Sequence, residues 1–154
     1  MLRPVLVTLT LALTACQTPA TVNAEEADVT EMVEWRLVIH GGAGVILREN
    51  MTPEREAAFT AALETALEAG ANVLQNGGNA VDAVQAAVIP MEDDPLFNAG
   101  QGAVFTAAAE HALDASIMSG AERDAGAVEG VKREKKPILA ARAVMDQSEH
   151  VMFA

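Results

Sequence analysis

Apolar positions fall into three regimes along this chain. An uncharged run from Pro4 to Ala15 comes first, then an acidic stretch at 17–34, and from Trp35 onward helical and strand spacings alternate. The first run is too short to cross a bilayer. The second, QTPATVNAEEADVTEMVE, has five acids, no base and no apolar period, so it reads as a solvated tether. WRLVIH at 35–40 is a strand candidate. HGGAG at 40–44 then puts three glycines in four positions, which marks a sharp turn or a close backbone approach. Thr52 and Pro53 open a helix as N-cap and first helical residue, with Glu54 and Glu56 where the helix dipole favours acids. Phe59, Leu63, Leu67 and Leu74 recur near the helical period, interleaved with Ala58, Ala62, Ala66 and Ala71. So small a stripe predicts close packing against a neighbour, and Asn76-Gly77-Gly78 ends the helix.

Asn79, with Asp82 three residues on, caps a second helix whose Val81, Val84 and Val88 share one side. Pro90 is expected to stop or kink it near Ile89. Glu92-Asp93-Asp94 reads as a solvated loop that leads into the structured loop PLFNAGQG at 95–102. Strands are expected at 103–107 and 112–118, joined by a turn near Glu110 and His111, with a weaker one at 124–131. Ser116 is expected to pack inside its strand and Ser119 to belong to a turn. A helix opening on Pro137 runs to about 147, a turn follows at 148–150, and a core-like strand begins at 151–154. A core strand with no cap or turn after it reads as a truncated protein. The order of elements predicts an α/β fold of the layered α+β kind.

Composition narrows the function. A length of 154 residues suits one domain, and 51% hydrophobic residues exclude a disordered chain. A formal charge of −12 argues against a nucleic-acid partner, which needs a basic footprint. A single cysteine excludes an internal disulfide and a multi-cysteine zinc site. That cysteine closes the first apolar run as Leu13-Thr14-Ala15-Cys16 after the early Arg3, and this looks like the lipobox of bacterial lipoproteins. The resemblance implies a signal peptide at 1–15, a lipidated Cys16 and an acidic tether over 16–34, with the domain at 35–154. Gln17, in place of an aspartate, points to the periplasmic side of the outer membrane within the cell envelope. The alternative is an ordinary buried segment with a buried cysteine.

Neither of two common hydrolase chemistries is legible. Ser116, Ser119 and Ser148 sit in no G-x-S-x-G, and His40, His111 and His150 show no triad order. There is no H-E-x-x-H or cysteine pair for zinc.

HGGAG at 40–44, NGGNAVDAV at 76–84 and PLFNAGQGAVFT at 95–106 instead resemble the isoaspartyl peptidase/plant-type L-asparaginase family. LDASIMSG at 113–120, AGAVEGV at 125–131 and ILAARAVMDQSEHVM at 138–152 continue the match in the family's order. GGNAVDA alone is also similar to γ-glutamyltransferases, whereas HGGAG with PLFNAGQGAVFT is specific. The resemblance implies an N-terminal-nucleophile hydrolase with an αββα sandwich, here incomplete. In that family a precursor cleaves itself before a threonine. The threonine hydroxyl then attacks L-asparagine or a β-aspartyl dipeptide, with its own α-amine as base. Thr52, Thr60, Thr65 and Thr106 do not follow a glycine, so no catalytic nucleophile is assigned. A β-subunit or complementary chain is expected to be needed, and this chain alone to be inactive.

The resemblance also implies a structural sodium ion, and no organic cofactor. Backbone carbonyls of Met91, Glu92, Asp94, Phe97, Ala99 and Gln101 would ring the ion, with Pro90 an unusual residue just before that loop. Asn98 is implied as active-site support, its plain alternative being a left-handed loop residue, and Gly41 and Gly42 lie near the nucleophile. Rival readings are a non-catalytic lipoprotein that binds a partner and a γ-glutamyltransferase-like hydrolase.

Overall fold

A computed structural model describes residues 35–42 and 48–154. The signal peptide, Cys16, the tether, and Ala43 and Gly44 of the HGGAG motif lie outside the described residues.

Two helices form the first half. Helix α1 spans Pro53–Gln75, and the Thr52 side chain accepts from the Arg55 backbone N–H at 3.2 Å, as its N-cap role requires. Asn76 and Gly77 (φ +78°) end it. Helix α2 spans Ala80–Asp93. Its capping box is reciprocal: Asn79 Oδ1 accepts from Asp82 N–H at 2.8 Å, and Asn79 Nδ2 donates to the Asp82 carboxylate at 2.7 Å. The small stripe does what its residues permit. Ala66, Gly70, Ala83 and Ala87 are buried where the helices meet, and a β-carbon on Gly70 would lie 2.9 Å from the Ala83 carbonyl.

Pro90, expected to stop or kink α2, does not stop it; the helix continues to Asp93. Proline removes its own N–H bond and crowds a carbonyl of the preceding turn, but it leaves the residues that follow free to stay helical. The Lys136 ammonium donates to the Ile89 carbonyl at 3.2 Å and pairs with Asp93, so a cation closes this helix end. The 35–40 segment is not a strand either. No strand lies beside it among the described residues, and without a ladder its apolar residues act singly. Leu37 covers Gly70, while Val38 is 89% exposed.

The second half is a mixed three-stranded sheet in the order β1-β2-β3. Strand β1 (Leu113–Ser119) and strand β2 (Asp124–Val131) are antiparallel, with Ser119 opposite Asp124 across a tight turn. Their register shifts by one residue near Asp114, where Gly130 (φ +67°) donates its N–H to the Asp114 carboxylate at 2.8 Å. The strand expected at 103–107 is absent. The chain there curls into a turn, with Thr106 N–H on the Glu110 carbonyl at 2.8 Å and Ala109 at φ +55°. The neighbour of β1 is therefore β2.

Helix α3 (Pro137–Gln147) packs on one face of the sheet. Ile117, Val128, Ile138, Ala141 and Met145 form the core, with Val81, Val88 and Ile89 of α2 against it. Each large apolar side chain buried there contributes roughly 1.5–3 kcal/mol. Ser116 points to the opposite, exposed face rather than inward, and Met118 beside it is 72% exposed. Ser119 is buried and bonded to Glu122. Strand β3 (Met152–Phe153) runs parallel to β2, and its side chains are exposed, so the expected core-like strand is an edge. The result is one sheet with helices packed on one side, compatible with part of an α+β sandwich.

Candidate functional site

The 94–104 loop is built by short-range polar contacts. Asp94 accepts twice: its carboxylate from Leu96 N–H at 2.9 Å and its carbonyl from Phe97 N–H at 3.2 Å. That turn drops Phe97 into the core, where its ring meets Phe59 edge-on at 5.9 Å. Asn98, next in sequence, stays exposed, and its Oδ1 accepts from Val104 N–H at 2.9 Å. The loop is thus closed by the Asn98 side chain, which leaves Nδ2 as the end able to donate to a ligand. Asn98 has no positive φ, so the left-handed reading of this residue falls.

Two glycines set how tightly the loop closes. A β-carbon on Gly100 (φ +48°) would lie 2.2 Å from the Glu92 carbonyl, and one on Gly102 2.2 Å from the Phe97 carbonyl. The Met91, Asp94 and Ala99 carbonyls each accept one backbone N–H, which leaves each a second lone pair. These are hard oxygen donors, of the chemistry that suits a hard cation. Among the described residues no group of three or more His, Cys, Asp or Glu side chains could hold a metal.

Gly41, Gly42 and Asn98 line one cavity of about 500 Å³, together with His40, Arg55 and Phe59. Gly42 takes φ +103° and donates its N–H to His40 Nδ1 at 3.1 Å. The other histidines lie apart: His111 stacks on Phe105 at 4.3 Å, and His150 meets Phe153 edge-on at 5.7 Å. None of the three serines lines this cavity.

The buried role of the Glu92 side chain is what sequence reasoning missed. Expected in a solvated loop, Glu92 sits in the last turn of α2 and is 3% exposed. Its Oε1 accepts from Ile138 N–H at 2.9 Å, and its Oε2 has no partner among the described residues. Helix α3 begins on Lys136, which supplies no side-chain cap, so Glu92 caps it from α2. Lys136 in turn closes α2, so each helix lends a charge to the other's end. The legible signal was Lys136-Pro137: a proline-started helix without its own capping residue must borrow one. A second tie is Arg142 on α3, which pairs with Asp146 at 2.6 Å and Asp82 at 2.8 Å.

Burial pushes the Glu92 carboxyl above the usual carboxylate range, against the opposing pull of the Ile138 N–H and the Lys136 charge. A raised folded value means the folded state binds the proton more tightly than the unfolded chain. The associated stability is present below about pH 4.5 and is lost as pH rises through the raised value. Glu92→Gln keeps an acceptor for Ile138 N–H without the charge. In sodium-free buffer its urea midpoint should gain on wild type across that interval and then run parallel. Glu92→Ala should be less stable than Glu92→Gln by about 2 kcal/mol at every pH, because it orphans a buried N–H. Parallel curves for Glu92→Gln and wild type from pH 4 upward would contradict this account.

The asparaginase family profile matches residues 33–154. Over 117 residues the chain is 49% identical to an isoaspartyl peptidase of Escherichia coli, covering 76% of this chain and 36% of that protein. It is 47% identical over 117 residues to an isoaspartyl peptidase of Salmonella typhimurium, covering 76% and 37%. An isoaspartyl peptidase/L-asparaginase of Xenopus laevis is 40% identical over 117 residues, covering 76% and 36%. The chain spans about a third of the length of the curated relatives it matches.

Proposed function

Because the chain belongs to the asparaginase family, we propose that it supplies one wall of an acyl-transfer site that hydrolyses L-asparagine and β-aspartyl dipeptides. The threonine nucleophile comes from a β-type segment or a separate complementary chain. The supporting observation is the convergence of Gly41, Gly42 and Asn98 on one cavity. A glycine pair lets backbone come close to a reacting group. Asn98 is fixed by Val104 N–H, so its free amide end can orient a nucleophile without rearranging. A threonine α-amine, with a pKa of about 7.7–8, then serves as base near neutral pH.

The test is turnover. The 154-residue chain should not hydrolyse β-aspartyl dipeptides alone and should do so once joined by a β-type chain, with Asn98→Ala lowering kcat. Hydrolysis by the chain alone would overturn this division of labour. A folded complex that turns over only γ-glutamyl substrates would favour the transferase-like reading. The outer edge of β1 is unpaired and the sheet face bearing Ser116 and Met118 is open among the described residues, which suits a chain that must be completed. A stable complex that hydrolyses nothing would identify a non-catalytic binding protein instead.

Two further features belong to this reading. The 91–101 loop would hold a sodium ion through the carbonyls of Met91, Glu92, Asp94, Phe97, Ala99 and Gln101, and the ion would stiffen the segment carrying Asn98. Cys16 would carry a lipid that fixes the protein to the periplasmic side of the outer membrane, each buried CH₂ contributing about 0.8 kcal/mol. Fatty-acid labelling of cells should mark the protein, and Cys16→Ser should abolish the label.

A further inference from the structure

The cavity beside Asn98 contains a cation with no counter-charge among the described residues. Arg55, in the first turn of α1, is the one formally charged side chain lining it. The chain carries 22 acids against 10 bases. Lys132, Lys136 and Arg142 each meet a carboxylate, yet Arg55 has no ion pair among the described residues. Its guanidinium lies 5.5 Å over the Phe59 ring. That ring is buried and wedged edge-on by Phe97, so it is a rigid platform. A cation–π contact consumes no N–H, so the guanidinium keeps its five N–H donors.

We propose that Arg55 makes this cavity a recognition site for a carboxylate. A guanidinium fork matches the two oxygens of a carboxylate with parallel, charge-assisted hydrogen bonds. A volume of about 500 Å³ accommodates a small dicarboxylate or an amino acid. Arg55 is exposed, and the apolar walls formed by Phe59, Pro95, Leu96 and Phe97 shield one side of the pairing from water. The hydrolase reading enters only in naming the natural ligand, a carboxylate of an aspartyl substrate or product. Carboxylate binding itself stands on the geometry.

The test is a titration of the folded 154-residue chain followed by amide NMR, with succinate, its neutral diamide and inorganic phosphate as probes. Succinate should shift the amides of Gly41, Gly42, Arg55 and Asn98 and bind at least about tenfold more tightly than succinamide, a tenfold change being 1.4 kcal/mol. Arg55→Gln should reduce succinate to the level of succinamide. Arg55→Lys should restore part of the difference, because it keeps the charge and loses the fork. Rising salt should weaken binding of succinate and leave that of the neutral succinamide unchanged. Equal binding of succinate and succinamide, no effect of Arg55→Gln, or tighter binding of phosphate than of succinate would each overturn the proposal. A completed enzyme that fails to hydrolyse β-aspartyl substrates would remove the hydrolase reading and leave this binding result where it stood.

Discussion

Gly126→Ala should lower the stability of the folded chain by about 3 kcal/mol or more, at the upper end of what overpacking costs. Gly126 lies on β2 opposite Ile117, on the face that α3 covers. A β-carbon there would sit 2.2 Å from the Ala141 carbonyl oxygen and 2.4 Å from the Met145 backbone nitrogen. Both are main-chain atoms inside a helix, so no side-chain rotation relieves the overlap. Helix α3 must lift off the sheet, and lifting it loosens the packing of Ile117, Val128, Ile138 and Met145 together. The control is Gly120→Ala, where a β-carbon meets nothing within 4 Å. That change should stay within about 0.5 kcal/mol. Urea denaturation followed by circular dichroism measures both. Equal midpoints for the two variants would mean that α3 does not approach β2 as closely as described.

Gly100→Ala should cost about 3 kcal/mol and do its damage in the loop that carries Asn98. Two costs combine at this position. A φ of +48° is disfavoured by about 1–2 kcal/mol for a residue with a β-carbon. That β-carbon would also lie 2.2 Å from the Glu92 carbonyl oxygen, again a backbone atom. Gly77→Ala separates the two terms: its φ is +78° and nothing lies within 4 Å, so it should pay the conformational term alone. Opening the loop releases Val104 N–H from Asn98, so amide exchange at Val104 should accelerate in Gly100→Ala and not in Gly77→Ala. The proposed sodium site adds a second readout. Sodium in place of choline should raise the Tm of wild type and leave Gly100→Ala unmoved, since an ion stabilises only the state that binds it. A sodium response retained in the variant would detach the ion from this loop.

Much of this architecture was legible locally. Thr52-Pro53 and Asn79 with Asp82 placed two helix starts, and Pro137 placed a third, because capping is settled within one turn of chain. The strand at Asp124–Val131 was also found as expected. The strand expected at 103–107 failed because strand pairing depends on which segment lies alongside, which spacing does not encode. Pro90 misled for a related reason. The cation that closes its helix is Lys136, 46 positions away in the chain but adjacent in space.

The sequence by itself determined the three helix starts, the small-residue seam between α1 and α2, and the family motifs around HGGAG and PLFNAGQG. Each depends on neighbours within a few residues, where propensity and capping dominate. Only the tertiary structure decided that Glu92 is buried as the cap of α3, that Ser116 faces outward, and that Arg55 shares a cavity with Asn98. Those outcomes turn on desolvation and on charges meeting across elements. Neither has a value until the chain has brought distant residues within a few ångströms of each other.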